Sequence, residues 1–254
     1  MTGGGAMSMV ELQQAARGRA VDIDLECLRT LGMITPDGAR TSAAEDFRVI
    51  KRPLLHAAAA RGARQHANLI IVTSALPGEG KTYCAINLAM SIAMEKDHRV
   101  LLVDADVARP AVLGTLGIEP APGLMDVLLD DEYRLSDLIL RTNVPSLTLL
   151  PAGRSNRHST ELLASQAMLG LLDEIAGRYP DRVVVFDSPP LLMTTEASVL
   201  ASRMGQVVLV IAAETTSQRA VKEALERLGT CERISLICNK ARPMPAQYYQ
   251  GYYT

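Results

Sequence analysis

The stretch Ser74-Ala75-Leu76-Pro77-Gly78-Glu79-Gly80-Lys81-Thr82 follows the apolar run of residues 69–72 and precedes a segment of helical apolar periodicity, so it reads as a strand-to-helix turn. Glycines in such a turn let successive backbone N–H groups point inward, and the helix that follows adds its positive end. Lysine and threonine at the end of the turn suit the outer phosphates and the magnesium ion of a nucleoside triphosphate. Lys81 and Thr82 occupy those places. Nucleotide binding is therefore predicted for Pro77, Gly78, Glu79, Gly80, Lys81, Thr82 and Tyr83.

Two further runs support this reading. Residues 99–103 predict a second buried strand, ending in Asp104-Ala105-Asp106, and residues 183–186 a third, ending in Asp187-Ser188-Pro189-Pro190. In an open parallel sheet, ligands bind beyond the carboxyl ends of the strands, so these three ends can converge. Strand-like runs at 69–73, 99–104, 147–150, 182–187, 206–212 and 234–238 alternate with helical periodicity at 82–95, 165–178, 195–203 and 217–228. That alternation predicts an α/β fold, a mostly parallel sheet with helices on both faces, and the phosphate cradle after its first strand makes it of P-loop NTPase type.

A chain of 254 residues suits one such domain with an appendage. Apolar residues make up 48% and the net charge is −2, which gives no sign of a polyanion-binding surface, so nucleic acid is not an expected partner. The longest apolar runs, such as 207–213, are too short to cross a bilayer, and residues 1–10 lack the charged and apolar halves of a secretion signal. A cytoplasmic location is expected. Cys27, Cys84, Cys231 and Cys238 show no metal-ligand spacing and read as reduced core residues, while the four histidines are scattered and read as surface or loop residues.

Residues 1–41 read as an N-terminal arm, 42–240 as the P-loop domain and 241–254 as a flexible tail. Within the arm, residues 11–19 suit a short helix and Pro36-Asp37-Gly38 a turn. Ser42 and Glu45 have capping-box spacing for a helix with Phe47, Ile50, Leu54 and Leu55 on one face, which Pro53 should kink or unwind. Residues 152–160 read as a loop, either bordering the nucleotide or simply solvated. After Asn239-Lys240 come Pro243 and Pro245, and four of the seven tyrosines, Tyr248, Tyr249, Tyr252 and Tyr253, fall in the last seven residues. Such crowding implies a use for the phenols, with aromatic docking as the alternative. The 14 tail residues reach at most about 50 Å when extended.

Taken together, the Pro-Gly-Glu-Gly-Lys-Thr cradle, the strand ending Val103-Asp104-Ala105-Asp106, Asp187 before a double proline and the terminal tyrosines resemble the bacterial tyrosine kinases of polysaccharide export. The resemblance spans residues 42–254. Residues 50–55 and 104–110 are most similar to the autokinases of exosortase-linked exopolysaccharide clusters. It implies magnesium and ATP as cofactors, with Lys81, Asp104, Asp106 and Asp187 as the catalytic set and Thr82, Asp106 and Asp187 as magnesium ligands. Asp104 and Asp106 would divide metal binding and activation of the phenol; Asp104 is the favoured base, and the division stays open. The tail tyrosines would be phosphoacceptors. Two departures stand out: Ala75 replaces the first glycine of the general cradle, and Ala108 stands where the wider family has an arginine, with Arg109 next to it.

The family's self-association motif is matched by Glu45, Arg48 and Lys51, with lysine for the final arginine. The resemblance thus implies a ring-like homo-oligomer, in the family an octamer, and recruitment to the inner face of the plasma membrane by a separate membrane activator of the chain-length determinant type. A phenol titrates near pH 10, so a carboxylate beside the γ-phosphate has a proton to accept. Transfer in trans would add about −1.5 to −2 charges per tyrosine and loosen the ring. The rival readings are a Min- or Par-like switch ATPase, whose signature lysine would stand where this chain has Leu76, and a nucleotide-gated scaffold without kinase activity.

Overall fold

The computed structural model describes residues 19–38, 41–59, 66–130, 132–178, 182–229 and 231–242. The four tail tyrosines, Tyr179 and the helix expected at 11–19 fall outside the described residues, apart from Arg19.

Eight strands form one sheet in the order β1-β4-β5-β3-β6-β2-β7-β8. The six anticipated strands are β2 (Leu69–Ser74), β3 (Arg99–Asp104), β5 (Leu147–Leu150), β6 (Arg182–Asp187), β7 (Gln206–Ala212) and β8 (Ile234–Asn239). Their neighbours are all parallel, and only the short β4 (Leu140–Thr142) runs antiparallel to β5. The central strands are buried on both faces, which explains why they read as continuous Val/Ile/Leu runs rather than alternating ones. Ile70 and Val72 point into one core layer and Leu69 and Ile71 into the other.

The first layer is covered by α3 (Lys81–Ala93), which is buried along ten residues from Cys84, and by α2 (Ser42–Ala59). The opposite layer takes α8 (Gln166–Arg178), α9 (Glu196–Ala201) and α10 (Gln218–Arg227). Shorter helices fill the connections: α1 (Leu25–Thr30), α4 (Val112–Thr115), α5 (Leu124–Leu129), α6 (Leu135–Leu138) and α7 (Ser159–Leu163). No helix among the described residues is long and apolar enough to cross a membrane.

The region read as an arm is partly built into the domain. β1 (Ala20–Val21) pairs with β4, and Ile23, Leu28 and Ile34 are buried in the first core layer. The expected boundary at residue 41 is therefore not a break in packing. Helix α2 starts at Ser42, but the cap is Thr41, whose Oγ1 accepts from the Ala44 N–H at 3.1 Å, while Glu45 turns to Arg48. Helical structure runs unbroken through Pro53, contrary to the expected unwinding. The cysteine reading needs a similar correction: Cys84 is buried and Cys231 half-buried, but Cys27 and Cys238 are exposed.

Candidate active site

Three strand ends meet as anticipated. In the sheet register Asp104 of β3 lies opposite Asp187 of β6, and Asp187 lies opposite Val72 of β2, just before the cradle. Side chains at matched positions of adjacent parallel strands project from the same face, so both carboxylates sit beneath the turn. Lys81, the first residue of α3, places its Nζ 2.7 Å from Asp106 Oδ2 and 3.8 Å from Asp187 Oδ1. The Thr82 hydroxyl donates to Asp187 Oδ2 at 2.7 Å.

The carboxylates differ in what surrounds them. Asp104 is buried; its Oδ2 accepts the Ala111 and Val112 N–H groups at 3.1 and 3.0 Å, and its Oδ1 accepts the Asp106 N–H at 3.2 Å. It thus ties the start of α4 to the sheet. Burial nevertheless pushes Asp104 up to about 6, against the lowering effect of those N–H groups. Asp187 is pushed up to about 7, again by burial first, with Lys81 and Thr82 pulling the other way. Asp106 borders a cleft of about 390 Å³ together with Lys81, Gly78, Arg109, Pro190 and Met193. Asp104 and Asp187 do not line that cleft. Of the two carboxylates between which metal binding and phenol activation were left open, Asp106 borders the cleft, while Asp104 is held by three backbone N–H groups.

The donor set fits magnesium. Asp187 Oδ1 is buried with no hydrogen-bond partner, beside the Thr82 hydroxyl, and both are hard oxygen donors. No cluster of three His, Cys, Asp or Glu ligands occurs among the described residues.

Several residues of the nucleotide-binding set play other parts. Glu79 is buried: its Oε2 accepts the Leu76 N–H at 2.7 Å and its Oε1 accepts the Thr216 hydroxyl, so its carboxylate braces the turn from behind. The Tyr83 hydroxyl donates to the Gly32 carbonyl at 3.0 Å, and its ring packs against the first core layer, so its side chain is directed to the N-terminal segment and only its backbone faces the cradle turn. Arg109 is exposed at the cleft mouth beside Ala108. The loop before α7 lies apart from the cleft lining; Arg154 within it pairs with Asp126 at 3.1 Å.

The predicted self-association face is divided. Glu45 and Arg48 form an exposed pair at 2.6 Å. Lys51 is buried instead, donating to the Ser91 carbonyl and pairing with Glu95, each at 2.6 Å. It is committed to its own chain, at the negative end of α3. Thr216, Asn239 and Lys240 were not singled out as site residues; all three grip the cradle. Asn239-Lys240 ends a strand of an already parallel pattern, and that position was the available signal.

A family model described as an AAA domain matches residues 67–239. The tyrosine-protein kinase YwqD of Bacillus subtilis is 33% identical over 188 residues, 74% of this chain and 76% of that relative. The chain belongs to the bacterial tyrosine-protein kinases. EpsB of Ralstonia nicotianae is 32% identical over 186 residues, 72% of this chain, and the chain spans only 24% of that longer relative. Among solved structures, the VpsO kinase domain superposes with a TM-score of 0.66 at 31% identity, covering 78% of this chain and 96% of that one. The residues matched by the AAA-domain model include the cradle and all three aspartates.

Proposed function

We propose that this chain is a magnesium- and ATP-dependent tyrosine autokinase that modifies Tyr248, Tyr249, Tyr252 and Tyr253 in trans within an oligomer and thereby regulates exopolysaccharide production and export. The observation that carries the reading is the Lys81–Asp106 contact of 2.7 Å at the cleft, beside an Asp187 oxygen without a hydrogen-bond partner, in a member of a tyrosine kinase family. Similarity at residues 50–55 and 104–110 supports the exosortase-linked subtype.

In this reading Lys81 and the cradle N–H groups hold the phosphates, and Thr82 with Asp187 would hold magnesium, which supplies charge neutralisation on the phosphoryl oxygens. Asp106 takes the proton from the incoming phenol as the phenolic oxygen bonds to the γ-phosphorus and ADP leaves. Once phosphate oxygens draw Lys81 toward them, Asp106 is released from its ion pair to accept that proton. Asp104 fixes the loop that carries Asp106. Pro190 and Met193 form an apolar wall suited to an aromatic ring. The chain acts in the cytoplasm and is brought to the membrane by a separate activator.

Intact-mass and tail-peptide mass spectrometry after incubation with magnesium and ATP tests the reading. Mass increments on the tail, absent in Lys81→Met, are expected. ATP hydrolysis with an unmodified tail would instead support a switch ATPase, and ATP binding with neither hydrolysis nor modification a nucleotide-gated scaffold.

A further inference from the structure

The end of β8 touches the cradle at two backbone carbonyls. Asn239 Nδ2 donates to the Glu79 carbonyl at 2.9 Å, and Lys240 Nζ donates to the Gly78 carbonyl at 2.7 Å. The Asn239 amide also abuts Gly80 end-on: a Cβ built there would stand 2.1 Å from Nδ2. Gly80 itself has φ +97°.

A trans peptide fixes what this does to the donors. The carbonyl of one residue and the N–H of the next point in opposite directions across a planar unit, and no cis bond occurs in the described chain. Holding the Glu79 carbonyl toward Asn239 therefore turns the Gly80 N–H to the opposite, inner side of the loop. Holding the Gly78 carbonyl toward Lys240 does the same for the Glu79 N–H. Among the described residues nothing accepts from the Gly80 N–H. An inward donor without a protein acceptor is the element from which an anion-binding nest is made.

Lys240 adds a second observation. Its φ is +59°, a left-handed conformation that side chains disfavour and glycine adopts freely. A residue held in such a conformation is over-determined by its surroundings, and here its ammonium on the Gly78 carbonyl is the visible reason.

We propose that Asn239 and Lys240 are positioning residues of the phosphate cradle, holding the Glu79 and Gly78 carbonyls outward so that the Gly80 and Glu79 N–H groups face the nucleotide phosphates. The inference rests on the nucleotide-binding part of the functional reading and not on transfer to the tail.

The test uses the full chain and measures two quantities: the Kd of magnesium-ATP by calorimetry, and the melting temperature without nucleotide. Lys240→Gly removes the ammonium while relaxing the left-handed backbone, so the nucleotide-free chain should melt at the same temperature or higher while Kd rises about five- to tenfold. Lys240→Arg keeps a cation and should hold Kd near the parent value. Asn239→Asp replaces the donor by an oxygen facing the Glu79 carbonyl and should weaken binding more than Asn239→Ala. A merely structural role predicts the reverse pattern for Lys240→Gly, a lower melting temperature at unchanged affinity, and that result overturns the proposal. Unchanged Kd in both Lys240→Gly and Asn239→Ala overturns it as well. A parent chain that binds magnesium-ATP yet leaves its tail unmodified removes the kinase reading and leaves this inference standing.

Discussion

Asp104 and Asp187 are direct neighbours across β3 and β6, yet Asp104 is saturated by three backbone N–H groups while one oxygen of Asp187 has no hydrogen-bond partner. The same strand-end carboxylate thus organises a loop in one case and is left available to a cation in the other. Asp106, two residues beyond Asp104, meets the cleft.

That division separates two variants. Asp106→Asn should lower tail phosphorylation about 10²- to 10⁴-fold while magnesium-ATP still binds. Asp104→Asn puts an amide where one backbone N–H now donates, and should lower the melting temperature as well as the rate. Single-turnover phosphorylation and thermal melts, run on both variants, check the assignment; transfer retained in Asp106→Asn and lost in Asp104→Asn at full stability returns the base to Asp104.

The raised Asp187 carboxyl sets a pH dependence with a definite sign. Burial lifts it to about 7, so the folded chain without ligand holds a proton that the unfolded chain releases near the ordinary carboxylate range. Its stabilising contribution is full below that range and is lost as pH rises through about 7. Asp187→Asn should therefore flatten the loss of stability between pH 5 and pH 8. Magnesium needs the carboxylate, so magnesium-dependent nucleotide binding should strengthen as pH rises toward 8 and release a proton at pH 6. Calorimetry in two buffers of different ionisation enthalpy reads that proton directly.

Lys51 should behave as a stability residue. Replacing it with methionine leaves the Ser91 carbonyl without its donor, at a cost of about 1–3 kcal/mol. The Glu95 half of the contact is exposed and adds little. Arg48→Ala, at the exposed pair, should leave the melting temperature nearly unchanged. Chemical denaturation distinguishes them, and equal stability of the two variants would contradict the assignment.

Gly80→Ala should fold less stably and bind magnesium-ATP poorly. The positive φ alone costs an alanine about 1–2 kcal/mol. The added carbon also meets the Asn239 amide. Combining it with Asn239→Ala removes the collision and should recover part of the stability, as a double-mutant cycle in denaturant would reveal.

What the sequence displayed was the set of strands that read as nearly continuous apolar runs, doubly buried at the centre of the sheet and partly exposed in the edge strand β8. Each strand from β2 onward, except β4, is at least four residues of nearly continuous apolar chain, and such runs are legible without their partners. β1 and β4 have two and three residues and carry no periodicity; they exist because of pairing with each other and with β5. The cradle and its aspartates were legible because spacing after a strand determines where they end up. Side-chain direction was not: Lys51 and Tyr83 sit on helices whose rotation depends on tertiary packing, and each turned out to face its own chain. The grip of Asn239 and Lys240 on the cradle joins residues about 160 positions apart and has no local signature.

On one side the sheet tapers, from six residues in β3 through four in β5 and three in β4 to two in β1. Among the described residues, this rim offers an approaching copy almost no main-chain rungs to extend. Subunits meeting there must rely on side-chain surfaces, and contacts of that kind can be undone by added charge where an interlocked ladder would persist.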